Sequence, residues 1–201
     1  MKKLLITLIV WTMIFTTLVM PTYAIEFTDL ASTHWAYEYI TTLTNSGVIN
    51  GYTDGTFKPS GTITKAEFLK LVISSCLPPY IDLSEAEGSM GHWASNYVWL
   101  AETYGIIEPS TITIENINEP ITRIEMVRMV SMADIIMKEN ASQYTEETDF
   151  IDVATLPIND LYLLRHAVSR GLITGYTDGT FKPEQTMTRA EAATMIYRFT
   201  K

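Results

Sequence analysis

Three basic residues occupy the same place in a short motif that recurs along the chain. The motif is Thr-x-x-Glu, and its second residue is Lys65, Arg123 or Arg189. A threonine followed three residues later by glutamate predicts a helix N-terminus, where unpaired N–H groups and a partial positive charge attract anions. Arginine can hold a carboxylate through two parallel hydrogen bonds, whereas lysine offers a point charge. The motif therefore predicts binding sites for an anionic group, with simple solvation of the three bases as the alternative.

Two tryptophans and two glycines recur in equivalent surroundings and could line such sites. Trp35 and Trp93 each stand between a histidine and an alanine, and Gly51 and Gly175 each open the same nine-residue segment. An indole face can stack on a sugar ring, and a glycine lets a ligand approach the backbone closely. Because both tryptophans also begin amphipathic helices, packing in the core is the alternative for them.

The residue types give little support for metal binding or catalysis. The Asp-Gly pairs at 54–55 and 178–179 are tight-turn signals, and the dense ligand spacing of a calcium loop is absent around them. The three histidines are scattered, which does not suit zinc. No pair of carboxylates forms a distinctive glycosidase constellation, and no nucleophile is visibly paired with a histidine. We therefore expect no metal, no cofactor and no enzymatic activity.

The chain contains an internal repeat. The segment Gly-Tyr-Thr-Asp-Gly-Thr-Phe-Lys-Pro at 51–59 returns unchanged at 175–183, 124 positions later. A middle copy is degenerate: the His-Trp-Ala at 34–36 recurs at 92–94, but the Asp-Gly turn is replaced by Ile-Thr at 112–113. A unit of about 55 residues cannot bury its own apolar face well, so the three units must pack together.

The unit boundaries follow from these copies and from the N-terminal composition. Lys2 and Lys3 precede an apolar run that ends near Ala24, which is typical of a secretory signal peptide, with an uncleaved membrane anchor as the alternative. We predict a signal peptide over 1–24, a first repeat over 25–79, a second repeat with a degenerate loop over 80–140, a linker over 141–149, and a third repeat over 150–201.

Each unit is predicted to form a helix, a loop and a second helix. The first helix ends at a glycine suited to a left-handed C-cap, and the second begins at the Thr-x-x-Glu motif. We expect the first helices to begin near Trp35, capped by Ser32 or Thr33, and near Trp93. The predicted fold is mainly α, with three helix–loop–helix repeats packed as a pseudo-threefold, three-lobed domain. The residues to which we assign capping or turn roles are Thr64, Glu67, Thr122, Glu125, Thr188, Glu191, Asp54, Gly55, Asp178 and Gly179.

The charge balance limits the partners. The chain has 23 acidic and 14 basic residues, and two of the basic residues belong to the predicted signal peptide, so the remainder carries a net charge of −11. The basic residues do not cluster, so we expect no nucleic-acid binding and no membrane association after signal cleavage. A single cysteine, Cys76, excludes an internal disulfide and lies in an apolar stretch that predicts a buried thiol.

These motifs together resemble the S-layer homology family. The matching pattern is Phe-x-Asp-Leu, His-Trp-Ala, Gly-Val-Ile-x-Gly-Tyr-x-Asp-Gly-Thr-Phe-x-Pro and Ile-Thr-Lys/Arg-Ala-Glu, and it runs from about Ile25 to Lys201. The first and third units match nearly throughout, whereas the second departs in its loop. In that family three repeats form a three-lobed bundle with ligand-binding grooves between neighbouring repeats.

The resemblance implies a function and a set of binding residues. It implies non-covalent attachment to a secondary cell-wall polysaccharide, often one bearing ketal-linked pyruvate, at the surface of a Gram-positive-type envelope. The family's binding arginine carries over to Arg123 and Arg189, and more weakly to Lys65. Trp35, Trp93, Gly51 and Gly175 complete the polysaccharide-binding residues that we predict. Because the second unit has lost its turn and the third lacks the tryptophan, we expect unequal grooves.

Two other functions compete with attachment to the wall polymer. Family members commonly carry an enzyme or lattice domain beside the repeats, and we expect no such domain within these 201 residues. A structural role in a surface layer, with self-association or binding to surface-layer proteins, is therefore the alternative, as is an adaptor that binds protein partners. A wall hydrolase is disfavoured for want of a catalytic constellation.

Overall fold

The computed structural model describes residues 26–76, 83, 86–137 and 148–201, and the predicted signal peptide and most of the predicted linker lie outside them. Within these ranges the secondary structure is helical, with isolated bridges but no β-strand. The mainly α fold class is therefore confirmed. The helices are α1 (Tyr37–Asn45), α2 (Lys65–Cys76), α3 (Ser95–Thr103), α4 (Arg123–Met137), α5 (Ile158–Ser169) and α6 (Arg189–Phe199). We call α1 and α2 the first pair, α3 and α4 the second, and α5 and α6 the third.

The second helix of each pair begins at a capping box. At α6 the N–H of Glu191 donates to Thr188 Oγ1 at 3.2 Å, and the N–H of Thr188 donates to Glu191 Oε2 at 2.9 Å. The same reciprocal bonds precede α2 and α4. Each cap satisfies two backbone donors that a helix start otherwise leaves unpaired, and places the following basic residue at the first helical position.

The first helices of two pairs begin later than predicted. Helix α1 begins at Tyr37 rather than near Trp35, and neither Ser32 nor Thr33 caps it. Instead, the N–H of Ala36 donates to Nδ1 of His34 at 3.1 Å, so the histidine closes a turn ahead of the helix. Helix α3 likewise begins at Ser95 after the equivalent bond to the ring of the preceding histidine. The tryptophan that follows each histidine therefore lies outside the helix.

The pairs contact one another in cyclic order. Helices α2, α4 and α6 contact each other, and each first helix packs against the second helix of a different pair: α1 on α6, α3 on α2 and α5 on α4. Isolated bridges join the segments before the second helices in the same order, at Thr62–Thr188, Thr64–Pro120 and Thr122–Thr186. No pair therefore completes its own core, and the spaces between pairs become grooves.

An aspartate near the start of the first and third units holds the loop of its own unit. The Asp29 carboxylate accepts hydrogen bonds from the N–H groups of Phe57 and Lys58 at 2.7 and 2.8 Å. Asp152 makes the equivalent pair of bonds in the third unit. Phe57 and its counterpart Phe181 are fully buried, so the repeated segment is fixed at both its backbone and its aromatic ring.

Two smaller features complete the fold. Cys76 is only partly buried, so the predicted buried thiol is wrong; it lies in the last turn of α2 and packs against the edge of the core. Across the described ranges no helix is both long enough and apolar enough to cross a lipid bilayer.

Candidate functional site

Arg189 is buried, which excludes simple solvation. It is the first residue of α6, and its side chain crosses to the loop of the first pair, where Nε donates to the carbonyl of Phe57 at 2.8 Å and Nη2 donates to that of Asn50 at 3.1 Å. The guanidinium carbon lies 4.7 Å from the ring centre of Tyr52, and Nη1 is 3.5 Å from Glu67 Oε1. Arg189 therefore anchors the repeated segment of another unit.

Arg123 does the same at the loop of the third pair. Its Nε donates to the carbonyl of Phe181 at 2.8 Å and its Nη2 to that of Thr174 at 2.9 Å, and the ring centre of Tyr176 lies 4.7 Å away. Burial lowers the pKa of Arg123, but a guanidinium stays protonated in proteins. A permanent positive charge is thus held against an aromatic ring at this position.

Each of these arginines lines a groove between pairs. Groove A surrounds Arg189, has a volume of about 360 Å³ and includes Asn50, Gly51, Tyr52, Glu67, Lys70 and Trp93. Groove B surrounds Arg123, has a volume of about 190 Å³ and includes Thr174, Gly175, Tyr176, Glu191, Arg198 and Trp35. Each groove combines a loop and a second helix from one pair, an arginine from another, and a tryptophan from the remaining one. The structure therefore brings together residues that lie far apart in the sequence.

The two tryptophans stand on the walls of these grooves and not in the core. Trp35 is 58% exposed in groove B and Trp93 is 56% exposed in groove A, so the core-packing interpretation is wrong. The preceding histidine ring lies beside each indole, stacked at Trp35 with ring centres 5.6 Å apart and tilted at Trp93 with ring centres 5.4 Å apart. The exposed part of each indole is available to a ligand.

Gly51 and Gly175 are required by packing. A Cβ on Gly51 would lie 2.2 Å from Cε1 of Phe27, and one on Gly175 would lie 2.1 Å from Cε1 of Phe150. Both distances are far shorter than any van der Waals contact, so the phenylalanine that opens the unit leaves room for glycine alone. Close approach of a ligand to these backbones stays a prediction.

Lys65 differs from the two arginines at the equivalent position. Its Nζ lies 3.1 Å from Glu119 Oε2 and 3.1 Å from Glu125 Oε1. Burial alone would lower the pKa of Lys65, but hydrogen bonds from the ammonium group to Glu125 and Glu119 outweigh this and raise it. The lysine charge is therefore already balanced by two carboxylates, and Lys65 offers an incoming anion little.

Sequence reasoning missed two further cations in the grooves. Lys70 lines groove A and Arg198 lines groove B, each on the second helix that forms the groove wall. They are not at equivalent positions, because Lys70 corresponds to Thr194 and Arg198 to Ser74 in the aligned repeats. The repeat therefore does not pair them: Lys70 lies about one and a half turns into α2, whereas Arg198 lies in the last turn of α6.

The turn aspartates bind their own loops. Asp54 accepts hydrogen bonds from the hydroxyl and N–H of Thr56, which lower its pKa, and Asp178 does the same with Thr180. In the part of the chain that the structure describes, no three His, Cys, Asp or Glu side chains are grouped closely enough to hold a metal ion. The aspartates therefore shape the turns that present the groove residues.

The sequence matches one family model and several known proteins. The S-layer homology domain model matches residues 26–69 and 166–193. An S-layer protein of Bacillus thuringiensis subsp. finitimus is 28% identical over 179 residues, which are 88% of this chain and 21% of that protein. An endoglucanase of Bacillus sp. (strain KSM-635) is 29% identical over 180 residues, covering 86% of this chain and 18% of the enzyme.

A third relative has a name that describes attachment. A cellulosome-anchoring protein of Acetivibrio thermocellus is 33% identical over 94 residues, which are 42% of this chain and 20% of that protein. The chain spans about a fifth or less of the length of these relatives and of the other enzymes that it matches. An enzyme, an S-layer protein and an anchoring protein thus each resemble this chain over a small part of their own length.

Proposed function

Because this chain belongs to the S-layer homology domain family, we propose that it attaches to the cell wall by binding an acidic polysaccharide in grooves A and B. The family and its relatives place it outside the cell, at the wall or surface layer. The observation that carries the proposal is the recurrence, in two grooves, of a buried arginine, a further cation and a half-exposed tryptophan.

The charge of the two grooves supports an anionic ligand. Groove A is lined by two bases, Lys70 and Arg189, and one acid, Glu67. Groove B is lined by Arg123, Arg198 and Glu191, so each groove has a net charge of +1 although the whole chain has a net charge of −9. Local positive charge on an acidic protein draws an anion to the groove and away from the rest of the surface.

A sugar that carries a carboxylate suits both parts of each groove. The carboxylate can accept hydrogen bonds from Lys70 or Arg198, near the buried guanidinium, while the sugar ring lies against the exposed indole. A pyruvate ketal places a carboxylate directly on a sugar ring. We therefore propose a pyruvylated secondary cell-wall polysaccharide as the ligand, and no catalytic role for the grooves.

The tryptophans provide the sharpest test, because they are exposed and their loss should leave the fold intact. We expect a Trp35→Ala, Trp93→Ala double variant to lose at least about tenfold in affinity for purified wall sacculi in a co-sedimentation assay, since truncating a tryptophan that anchors a ligand typically costs about 2 kcal/mol. Ile158→Ala, at a 75% exposed residue outside both grooves, is the matched control. Binding by the double variant equal to that of the control would refute the site.

The ligand chemistry needs its own test. Removing the pyruvate from the wall polymer by mild acid should weaken sedimentation of the parent protein, and free pyruvylated disaccharide should compete for binding. Unchanged binding to the stripped polymer would contradict the acidic ligand while leaving the tryptophan result in place.

A structural role in a surface layer is the second candidate, and the named S-layer relatives favour it. A lattice component should assemble without wall polymer, so light scattering of the purified protein over rising concentration distinguishes the two functions. Assembly in the absence of polymer would support the structural role, and a strict monomer at high concentration would remove it.

A further inference from the structure

A third groove, groove C, lies at the position equivalent to grooves A and B but has a different lining. It surrounds Lys65 and has a volume of about 540 Å³. Ile106 and Ile107 take the positions that Val48 and Ile49 take in groove A. The residues that make grooves A and B anion sites are replaced here, so groove C is expected to bind a different kind of ligand.

Groove C has lost the aromatic and cationic groups of the other two. Ser110 and Glu115 stand where the first unit has Tyr52 and Phe57, so the two rings that contact Arg189 in groove A have no aromatic counterpart here. Helix α5, which packs on α4, begins after Pro157 and supplies no tryptophan. Without these rings and with lysine in place of arginine, the groove lacks the partners that an acidic sugar would use.

The cations of groove C are already paired. Lys65 lies between two carboxylates, as described above, and Arg128 donates from Nε and Nη2 to the two oxygens of Asp160 at 2.6 and 2.7 Å. These bonds with Asp160 raise the pKa of Arg128. The lining has three acids, with Glu108 and Glu125 beside Asp160, against these two bases, so its net charge is −1 where grooves A and B have +1.

The walls of groove C are apolar and adaptable. Met129 and Met132 on α4, Ile112 in the loop before α4 and Leu163 on α5 all line the groove. Tyr162 lies at the rim with 44% of its surface exposed. Methionine side chains repack easily around different apolar groups, whereas a sugar would have to bury hydroxyl groups against carbon atoms here.

We propose that groove C binds a segment of a partner protein that carries an apolar side chain next to a basic one. The apolar side chain would lie between Met129 and Met132 and against Tyr162. The basic group would lie at Glu108, an exposed residue of the groove lining. Complementary charge then selects this class of segment and rejects the acidic glycan that grooves A and B attract.

The test uses two short peptides of equal length and opposite charge. The probes are Ac-Leu-Phe-Lys-Lys-NH₂ and Ac-Leu-Phe-Glu-Glu-NH₂, added to protein carrying ¹³C-labelled methionine and isoleucine methyl groups. We expect the lysine peptide to shift the methyl signals of Met129, Met132 and Ile112, with saturation in the millimolar range, and the glutamate peptide to leave them in place. Equal shifts with both peptides, or none with the lysine peptide, would overturn the proposal.

Two variants and one sugar test the charge and the ligand class separately. Glu108→Lys should weaken binding of the lysine peptide about fivefold, while the matched Glu38→Lys, at an exposed acid on α1 outside the groove, should leave it unchanged. Glucosamine tests the glycan alternative, and shifts of the same methyl groups by glucosamine would also overturn the proposal. Sedimentation of Glu108→Lys with wall sacculi should equal that of the parent, so failure here is distinguishable from failure of the wall-binding function.

Discussion

Arg189 and Lys70 both line groove A, but the two side chains differ in burial and in hydrogen bonding. Arg189 is 6% exposed and is bonded to two backbone carbonyls of another pair, whereas Lys70 is half-buried on the groove wall. A buried guanidinium fixes the loop as much as it offers charge to a ligand. The two cations should therefore give different results when removed.

Arg189→Ala should destabilise the protein by about 2–4 kcal/mol, because it leaves the carbonyls of Phe57 and Asn50 without their donor. Lys70→Ala should lower affinity for wall polymer with a change in the free energy of unfolding below about 0.5 kcal/mol. Urea denaturation measures stability, and co-sedimentation measures binding. Comparable stability of the two variants would contradict the structural role given to Arg189.

This distinction changes how the arginines can be tested. The sequence predicts that Arg123 and Arg189 are ligand-binding residues, and on that interpretation alone their replacement would weaken attachment and leave the fold intact. The structure predicts that such a double variant also loosens two loops, so lost binding by it would not identify a ligand contact. The exposed tryptophans and Lys70 avoid this ambiguity.

At the scale of elements, the second helices were predictable and the first helices less so. The capping box at Thr188 is a signal within four residues, and α6 begins at the next residue as expected. At α1 the His34 ring accepts a hydrogen bond from the N–H of Ala36 and closes a turn ahead of the helix. Nothing in the local sequence pattern distinguishes a histidine in this turn from a histidine inside the helix. Pattern reasoning thus failed where a side chain made an unanticipated local bond.

Helices α4 and α5 are held together by buried charge. Asp134 is fully buried and accepts a hydrogen bond from Nε of Arg170 at 2.9 Å, and its Oδ2 lies 2.9 Å from Nε2 of the fully buried His166. Arg128 and Asp160 add a bidentate pair across the same interface. This interface therefore depends on the protonation state of its members.

The free energy of unfolding should decrease as the pH is lowered, because of the titration of His166. Burial lowers the pKa of this imidazole and the Arg170 charge adds to the effect, outweighing the hydrogen bond to Asp134 that raises it. Unfolded histidine titrates near pH 6.5, so just below that value the unfolded state binds more protons and the free energy of unfolding decreases as pH drops. The stabilisation is complete above about pH 7.

Urea denaturation between pH 7.5 and pH 5.5 measures this slope. His166→Gln should be less stable at pH 7.5 but should lose much of the pH dependence, whereas His34→Gln is the control that keeps it. A slope that is the same in His166→Gln as in the parent would show that other groups cause the decline.

At the scale of the whole molecule, the grooves arise from contacts that no local pattern encodes. Arg189 bonds to a carbonyl 132 positions away, and Lys65 meets a glutamate 54 positions away. The sequence could predict that three units pack together, and it could predict an arginine near each helix start. Only the cyclic order of the pairs determines which loop each arginine contacts. The same order places Lys65 beside the carboxylates that balance its charge.

The same cyclic order predicts that one pair cannot fold alone. Helix α1 packs on α6 and α3 packs on α2, so a fragment of residues 26–76 would expose the faces that two other pairs cover. A chain of this size has little apolar surface to offset its loss of conformational entropy. We expect the fragment to show weak helicity by circular dichroism and no cooperative thermal transition, whereas residues 26–201 unfold in a single transition. A cooperative melt of the fragment would mean that each unit carries its own core, and then the grooves would lie between domains that fold independently.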